Sequence, residues 1–302
     1  MPELTSRYLG NNRTMRALAS TLPIARNTLT ELVRMKVFYF LLVFALLVIG
    51  NSAFVARFSF QEQFQMLKDI SLGAMSVVSS LLAVLATANF LPKDLEDRTV
   101  YSILAKPVPR TSYLLGKYLG IVFLLGLSIA LMAAVFLGVL WLRERSVVVE
   151  TMAQMDAASP EELARSLKEV TDATFNRNLA PGIAIIFVKS ALLAALTLLI
   201  SSFATSGIFS ILMASAVYFI GHLQSTLRDY FLSGGGSGWL VRAVAGVAAL
   251  LFPDLQAFNF TDDIIAGAAI PAGVFLQVLA LGGMYIAAYV ALAAFVFSGR
   301  EL

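Results

Sequence analysis

The chain has 302 residues, of which 59% are apolar and 14% charged, with a formal net charge of +3. The charged share is about half the ~25% of a typical soluble domain. The apolar residues come in long runs divided by charged stretches, which excludes an ordinary soluble enzyme and describes a polytopic membrane protein. The absence of cysteine and the single histidine, His222, exclude disulfides, thiolate chemistry and a multi-histidine metal site. The net charge is too small to argue for a nucleic-acid partner.

Residues 1–36 form a mixed, polar leader with six Lys or Arg and no early apolar core ahead of a small-residue cleavage site, so no cleavable signal is expected. Within it an amphipathic helix starts near Pro23, a favoured helix-start residue. Ala25, Leu29, Leu32 and Val33 share one face, and Arg26, Asn27, Thr30, Glu31 and Arg34 the other. Such a helix is expected to lie in the membrane interface, apolar face down.

A helix needs ~20 apolar residues at 1.5 Å each to cross ~30 Å of hydrocarbon. Runs at Val37–Ala56, Ile70–Phe90, Leu119–Trp141, Gly182–Thr205, Gly207–Thr226 and Ala272–Phe297 meet this, the fourth and fifth being separated by a hinge of one or two residues. The expected fold is all-α: a six-span membrane domain over residues 37–302, every span helical because lipid offers its backbone no other partner. With both termini on one side, that side holds the leader, the loop 91–118 and the C-terminal tail. There Lys and Arg outnumber Asp and Glu, and on the other side the balance reverses. The positive-inside rule then puts both termini in the cytoplasm.

On the outer side, residues 142–181 form the one sizeable polar insertion. Ser159-Pro160-Glu161-Glu162 is a strong helix start, with an N-cap serine, proline at the first position and glutamate at the capping-box position. A small helical hairpin is expected, either a contact for substrate or partner or a solvated loop. Between the fifth and sixth spans, Trp239–Phe252 is too short to cross and ends at Pro253, and Ile264–Ile270 stops at Pro271. These read as re-entrant or interfacial helices; one more true span would instead flip the C-terminus.

The most informative segment runs from Asn89 to Tyr118. Mixed charge opens it at Lys93, Asp94, Glu96, Asp97 and Arg98, a short apolar face follows at Val100, Ile103 and Leu104, and Pro107 and Pro109 stiffen the chain before a basic re-entry. Such a loop suits docking into a groove on another protein. The acidic stretch, Thr99, Ile103-Leu104-Ala105-Lys106-Pro107-Val108, Arg110 and Gly116-Lys117 resemble the type-2 permease family of ATP-binding-cassette exporters. Arg98 stands where many members carry glycine. The six-span layout, amphipathic leader and broken outer segment are similar to that family too. The resemblance implies a permease of a bacterial inner membrane that dimerises with a second permease copy and binds separate ATPase subunits. It also implies that Asp94, Glu96, Arg98, Thr99, Leu104, Pro107, Arg110 and Lys117 couple the loop to the ATPase. ATP and Mg would then reside in the partner, with no cofactor expected in this chain: Gly116-Lys117 is followed by Tyr118, not the Ser or Thr of a phosphate-binding loop.

Within the spans, Ser76, Ser80 and Thr87 share one face of the second, and Ser215, Tyr218 and His222 one face of the fifth. In the resembled family these spans approach the dimer axis, so the two faces are candidates for a weakly polar translocation path; the competing reading is that the hydroxyls bond their own helix carbonyls. Lys189 is the one charge inside a span, at a cost of at least ~2.5 kcal/mol on insertion scales. It is expected to snorkel outward or to pair with an acid such as Asp254. His222 has no evident nucleophile or orienting acid for catalysis, and no catalytic or metal constellation is seen. Gly283, Ala287 and Ala291 suggest close packing of the sixth span. The sequence thus reads as an exporter permease, not an enzyme, with an ATP-independent transporter or channel and a non-transporting membrane anchor or assembly factor as alternatives.

Overall fold

The computed structural model describes residues 21–52, 60–90, 92, 109–154, 159–176, 178–232, 253–267 and 270–299, and every regular element among them is helical. In chain order these are α1 (Thr21–Val33), α2 (Lys36–Asn51), α3 (Phe60–Ala88), α4 (Arg110–Gln154), α5 (Pro160–Thr174), α6 (Leu179–Phe203) and α7 (Gly207–Leu232). A 3-10 turn (Leu255–Phe258), α8 (Thr261–Ala266) and α9 (Ala272–Ser298) follow. Five helices, α3, α4, α6, α7 and α9, are long and apolar enough to cross a membrane. A sixth span arises if α1 and α2, bent by 68° at their junction, count together. The break expected near residue 205 lies at 204–206. The segment Trp239–Phe252 lies outside the described residues.

α6 is the central helix, packed against α3, α4, α7 and α9. Its sequence explains why: apolar side chains ring it on all sides, and Leu192, Leu193, Ala194, Ala195 and Leu198 are all buried. A helix apolar all round belongs in the middle of a bundle. Serines stitch it to α3. Ser190 Oγ donates to Ser79 Oγ at 2.7 Å, and near the other end Ser201 Oγ donates to the Ala88 carbonyl at 3.3 Å.

Helices α4 and α9 both differ from the sequence expectation. The third span was expected to end at Trp141, yet α4 continues unbroken to Gln154, 45 residues or roughly 68 Å of helix. Arg143, Glu144 and Arg145 end the apolar run but not the helix, because charged residues are good helix formers once outside hydrocarbon. Arg145 lies over the Trp141 ring at 3.9 Å, and Arg143 reaches Gln63 on α3. The close-packing residue of α9 is Gly282 rather than Gly283. A Cβ at Gly282 would sit 2.5 Å from Val188 Cγ1, whereas one at Gly283 would meet nothing, and Ala287 and Ala291 are exposed with it.

The insertion after α4 folds as α5, with the expected capping box in place: the Ser159 side chain accepts from the Glu162 N–H while the Glu162 carboxylate accepts from the Ser159 N–H. Its last turn is held by Lys68, a buried residue of α3 whose ammonium donates to the Ala173 carbonyl at 2.6 Å. α8 is shorter than the Ile264–Ile270 piece read from sequence and lies earlier. It begins at Thr261 with Asp262 and Asp263 in its first turn and stops at Gly267, whose φ of +70° is the left-handed cap geometry that glycine adopts without penalty. Asn176 and Asn178 tie this end together by hydrogen bonds to the backbone of Ile264 and Ile270.

Candidate functional site

Two regions collect the residues singled out by sequence. The first is the end of the bundle where α1, the start of α4 and the close of α9 meet. Of the loop residues, Asp94, Glu96, Arg98, Thr99, Leu104 and Pro107 lie outside the described residues. Arg110 and Lys117, on the α4 side of the loop, are placed. Arg110 Nη1 donates to the Ser298 carbonyl at 3.1 Å, against the C-terminal end of α9, where a cation complements the exposed carbonyls. One turn on, Tyr113 stacks on Phe297. Lys117 is buried, 3.7 Å from the Glu31 carboxylate and 4.3 Å from the centroid of the Phe90 ring.

α1 packs against the rest of the bundle. Thr21, Ala25, Thr28 and Leu32 form its buried face. Gly116 and Gly120, four residues apart on α4, open the groove it occupies. A Cβ at Gly116 would come within 2.7 Å of Ile24 Cβ, and one at Gly120 within 2.6 Å of Thr28 Cβ. The G-x-x-x-G spacing of Gly116 and Gly120 is the sequence signal for this approach. The amphipathic face is therefore shared between the protein's own α4 and whatever surrounds it.

The second region lies between α3, α6 and α7. Lys189, only 4% exposed, does not snorkel outward. Its ammonium lies 3.1 Å from His222 Nε2 and 3.4 Å from Ser76 Oγ. His222 Nδ1 is 3.0 Å from the Tyr218 carbonyl. A carbonyl only accepts, so Nδ1 carries the proton, and Nε2 is left to accept from Lys189. Asp254 is not its ion-pair partner; that carboxylate caps the 3-10 turn by accepting from the Gln256 N–H. The α6 register turns Lys189 inward, toward α3 and α7, which sequence periodicity on an all-apolar helix could not reveal.

One turn from this cluster, the two hydroxyl faces converge. Ser80 of α3 and Ser215 and Tyr218 of α7 line one pocket of about 320 Å³, walled by Val77, Leu81, Val84 and Phe219. The Tyr218 and His222 rings are 4.3 Å apart, which joins pocket to cluster. Ser80 Oγ is buried and finds no hydrogen-bond partner among the described residues. Thr87 is not part of this surface: its hydroxyl bonds back to the Ala83 carbonyl at 2.6 Å, two turns beyond the pocket centre. The expected path residues thus divide. Ser80, Ser215 and Tyr218 share a pocket, Ser76 and His222 meet at Lys189, and Thr87 serves its own helix.

No protein-family model and no curated protein matches the chain.

Proposed function

We propose that the chain is the membrane-spanning permease subunit of an ATP-binding-cassette exporter, working with a second permease copy and with separate ATPase subunits that hold ATP and Mg. The loop 91–118 would face the cytoplasm of a bacterial inner membrane and receive the motion of the ATPase. The observation that carries the reading is how that loop re-enters the bundle. Arg110 fastens it to the end of α9, and Lys117 with Gly116 and Gly120 fastens it to α1. A displacement of the loop is therefore passed to α1, α4 and α9 together, which a simple connector between two spans would not need. The resemblance of residues 91–117 to the coupling segment of type-2 permeases points the same way.

The test is a photoreactive amino acid at Leu104 in the full chain, irradiated in native membranes. Cross-linking to an ATP-hydrolysing subunit, and stimulation of its ATPase on co-reconstitution, are expected. Labelling of residues 93–108 by a membrane-impermeant reagent added outside would overturn the reading.

An ATP-independent, ion-coupled transporter is the second reading, favoured by the Lys189–His222 pair inside apolar helices, since intramembrane ionisable pairs mark ion relays in such proteins. Uptake driven by an ion gradient in vesicles holding this chain alone would select it.

A further inference from the structure

Near its start, α3 carries a lysine whose charge the rest of the bundle does not neutralise. Lys68 is 3% exposed, and its ammonium meets the Ala173 carbonyl of α5 at 2.6 Å. That bond uses one of its three N–H donors. Among the described residues no ion pair and no second hydrogen bond reaches Lys68. A buried cation left with a single neutral acceptor is costly unless an anion completes its shell. Lys68 and Ala173 both line a cavity of about 500 Å³ between α3, α5 and α8, so room for that anion lies beside the bond.

The walls of this cavity are segregated by charge. On α3, Gln65 stands one turn before Lys68, and its amide has no hydrogen-bond partner among the described residues. On α5, Glu169 and Asp172 bring two carboxylates, and neither pairs with Lys68. Ile265 and Ala266 of α8 give an apolar side. A metal ion does not suit a wall that holds an ammonium, and among the described residues no cluster of ligands for one is found. A simple anion would face the two carboxylates, and a simple cation would face Lys68. A molecule that carries both charges satisfies both walls. Glu169 is four residues from Ala173, ~6 Å along the helix, so the two charges must lie close together. The cavity also sits where the apolar run of α3 has not begun, since Lys68 and Asp69 precede Ile70, and this suits a ligand that arrives from water.

We infer that the cavity between α3, α5 and α8 is a binding site for a free apolar α-amino acid, its carboxylate on Lys68 and Gln65, its ammonium on Glu169 and Asp172, and its side chain along Ile265 and Ala266. The site stands apart from the permease reading. Lys68 is ~30 Å of helix away from Ala88, the end of α3 that leads into the loop 91–118.

The experiment uses the full chain, purified in detergent and without any ATPase, so its outcome is independent of coupling. Tritiated L-leucine is bound in a scintillation proximity assay and displaced by three relatives. Isocaproate lacks the ammonium, isopentylamine lacks the carboxylate, and ε-aminocaproate is an isomer with its charges far apart. Saturable L-leucine binding is expected, with each relative competing at least ~10-fold less well. Glu169→Gln combined with Asp172→Asn, both on the exposed side of α5, should weaken L-leucine at least ~10-fold, and Lys68→Met should abolish its binding. Absence of saturable binding up to ~10 mM, competition by any of the three relatives equal to that by L-leucine, or unchanged affinity in the double variant overturns the proposal. Should Lys68→Met fail to fold, the double variant decides, because it leaves the Lys68–Ala173 bond and the Ser159–Glu162 box in place. Absence of ATPase cross-linking at Leu104 with leucine binding intact would count against the permease reading alone.

Discussion

Arg110 and Ser298 are 188 residues apart in sequence and joined by a single 3.1 Å hydrogen bond from guanidinium to helix-terminal carbonyl. It closes the first turn of α4 onto the last turn of α9. Because α9 packs chiefly on α6, the central helix, this contact links the loop 91–118 to the middle of the bundle.

Arg110→Ala should destabilise the protein by about 1 kcal/mol, the scale of an exposed charge-assisted bond at a helix C-terminus. Thermal unfolding in detergent reads the shift, and hydrogen exchange over 290–299 should speed up with it. Arg110→Lys, which keeps the charge without the planar fork, should recover part of the loss. Identical melting and exchange in Arg110→Ala would show that the contact does not hold α9.

The groove for α1 makes a sharper prediction. Any side chain at Gly120 must displace Thr28, whose Cβ stands 2.6 Å from the position a new Cβ would take, and the Ala25 carbonyl at 2.8 Å. Backbone cannot yield as a flexible side-chain tip does. Gly120→Val should therefore cost ~1–3 kcal/mol and release α1, seen as faster proteolysis near residue 34. Gly138→Val, on the same helix but with nothing within 4 Å, should change stability by less than ~0.5 kcal/mol. Equal behaviour of the two variants would mean that α1 does not sit in the groove.

The same contrast one helix away separates what the sequence could and could not tell. The small residues Gly283, Ala287 and Ala291 form a stripe, but Gly282, one position earlier, is the residue that packs. A Cβ there would stand 2.5 Å from Val188 Cγ1 and 3.0 Å from the Phe258 ring. On a helix apolar all round, a shift of one residue turns a side chain by ~100° without changing the hydrophobic pattern, so the buried face is invisible until a partner is present. Lys189 was hidden for the same reason: its charge was plain, but its turn toward His222 depends on the register of α6 against α3 and α7. Local chemistry was readable. The Ser159–Glu162 box is written within four residues, and the long apolar runs follow from composition alone. Gly282→Val should destabilise by ~1–3 kcal/mol and Gly283→Val by less than ~0.5 kcal/mol, checked by melting temperature. The reverse order would restore the stripe as the packing face.

α5 is held at both ends by different devices, and each can be removed alone. At its start the Ser159 side chain accepts from the Glu162 N–H; at its close Lys68 of α3 donates to the Ala173 carbonyl at 2.6 Å. Ser159→Ala should cost about 1 kcal/mol, the usual value of an N-cap, and should speed hydrogen exchange in the first turn, residues 160–164. Lys68→Met keeps the apolar stem but leaves the Ala173 carbonyl without its cation, at ~1–3 kcal/mol for a bond to a charged group. Exchange should then rise in the last turn, residues 170–174, and along the neighbouring stretch of α3. Because the two sites share no partner, their effects should add in the double variant. If each single change instead loosened the whole of α5 equally, the helix would be a unit that docks or leaves as one, and its two ends would not be separate anchors.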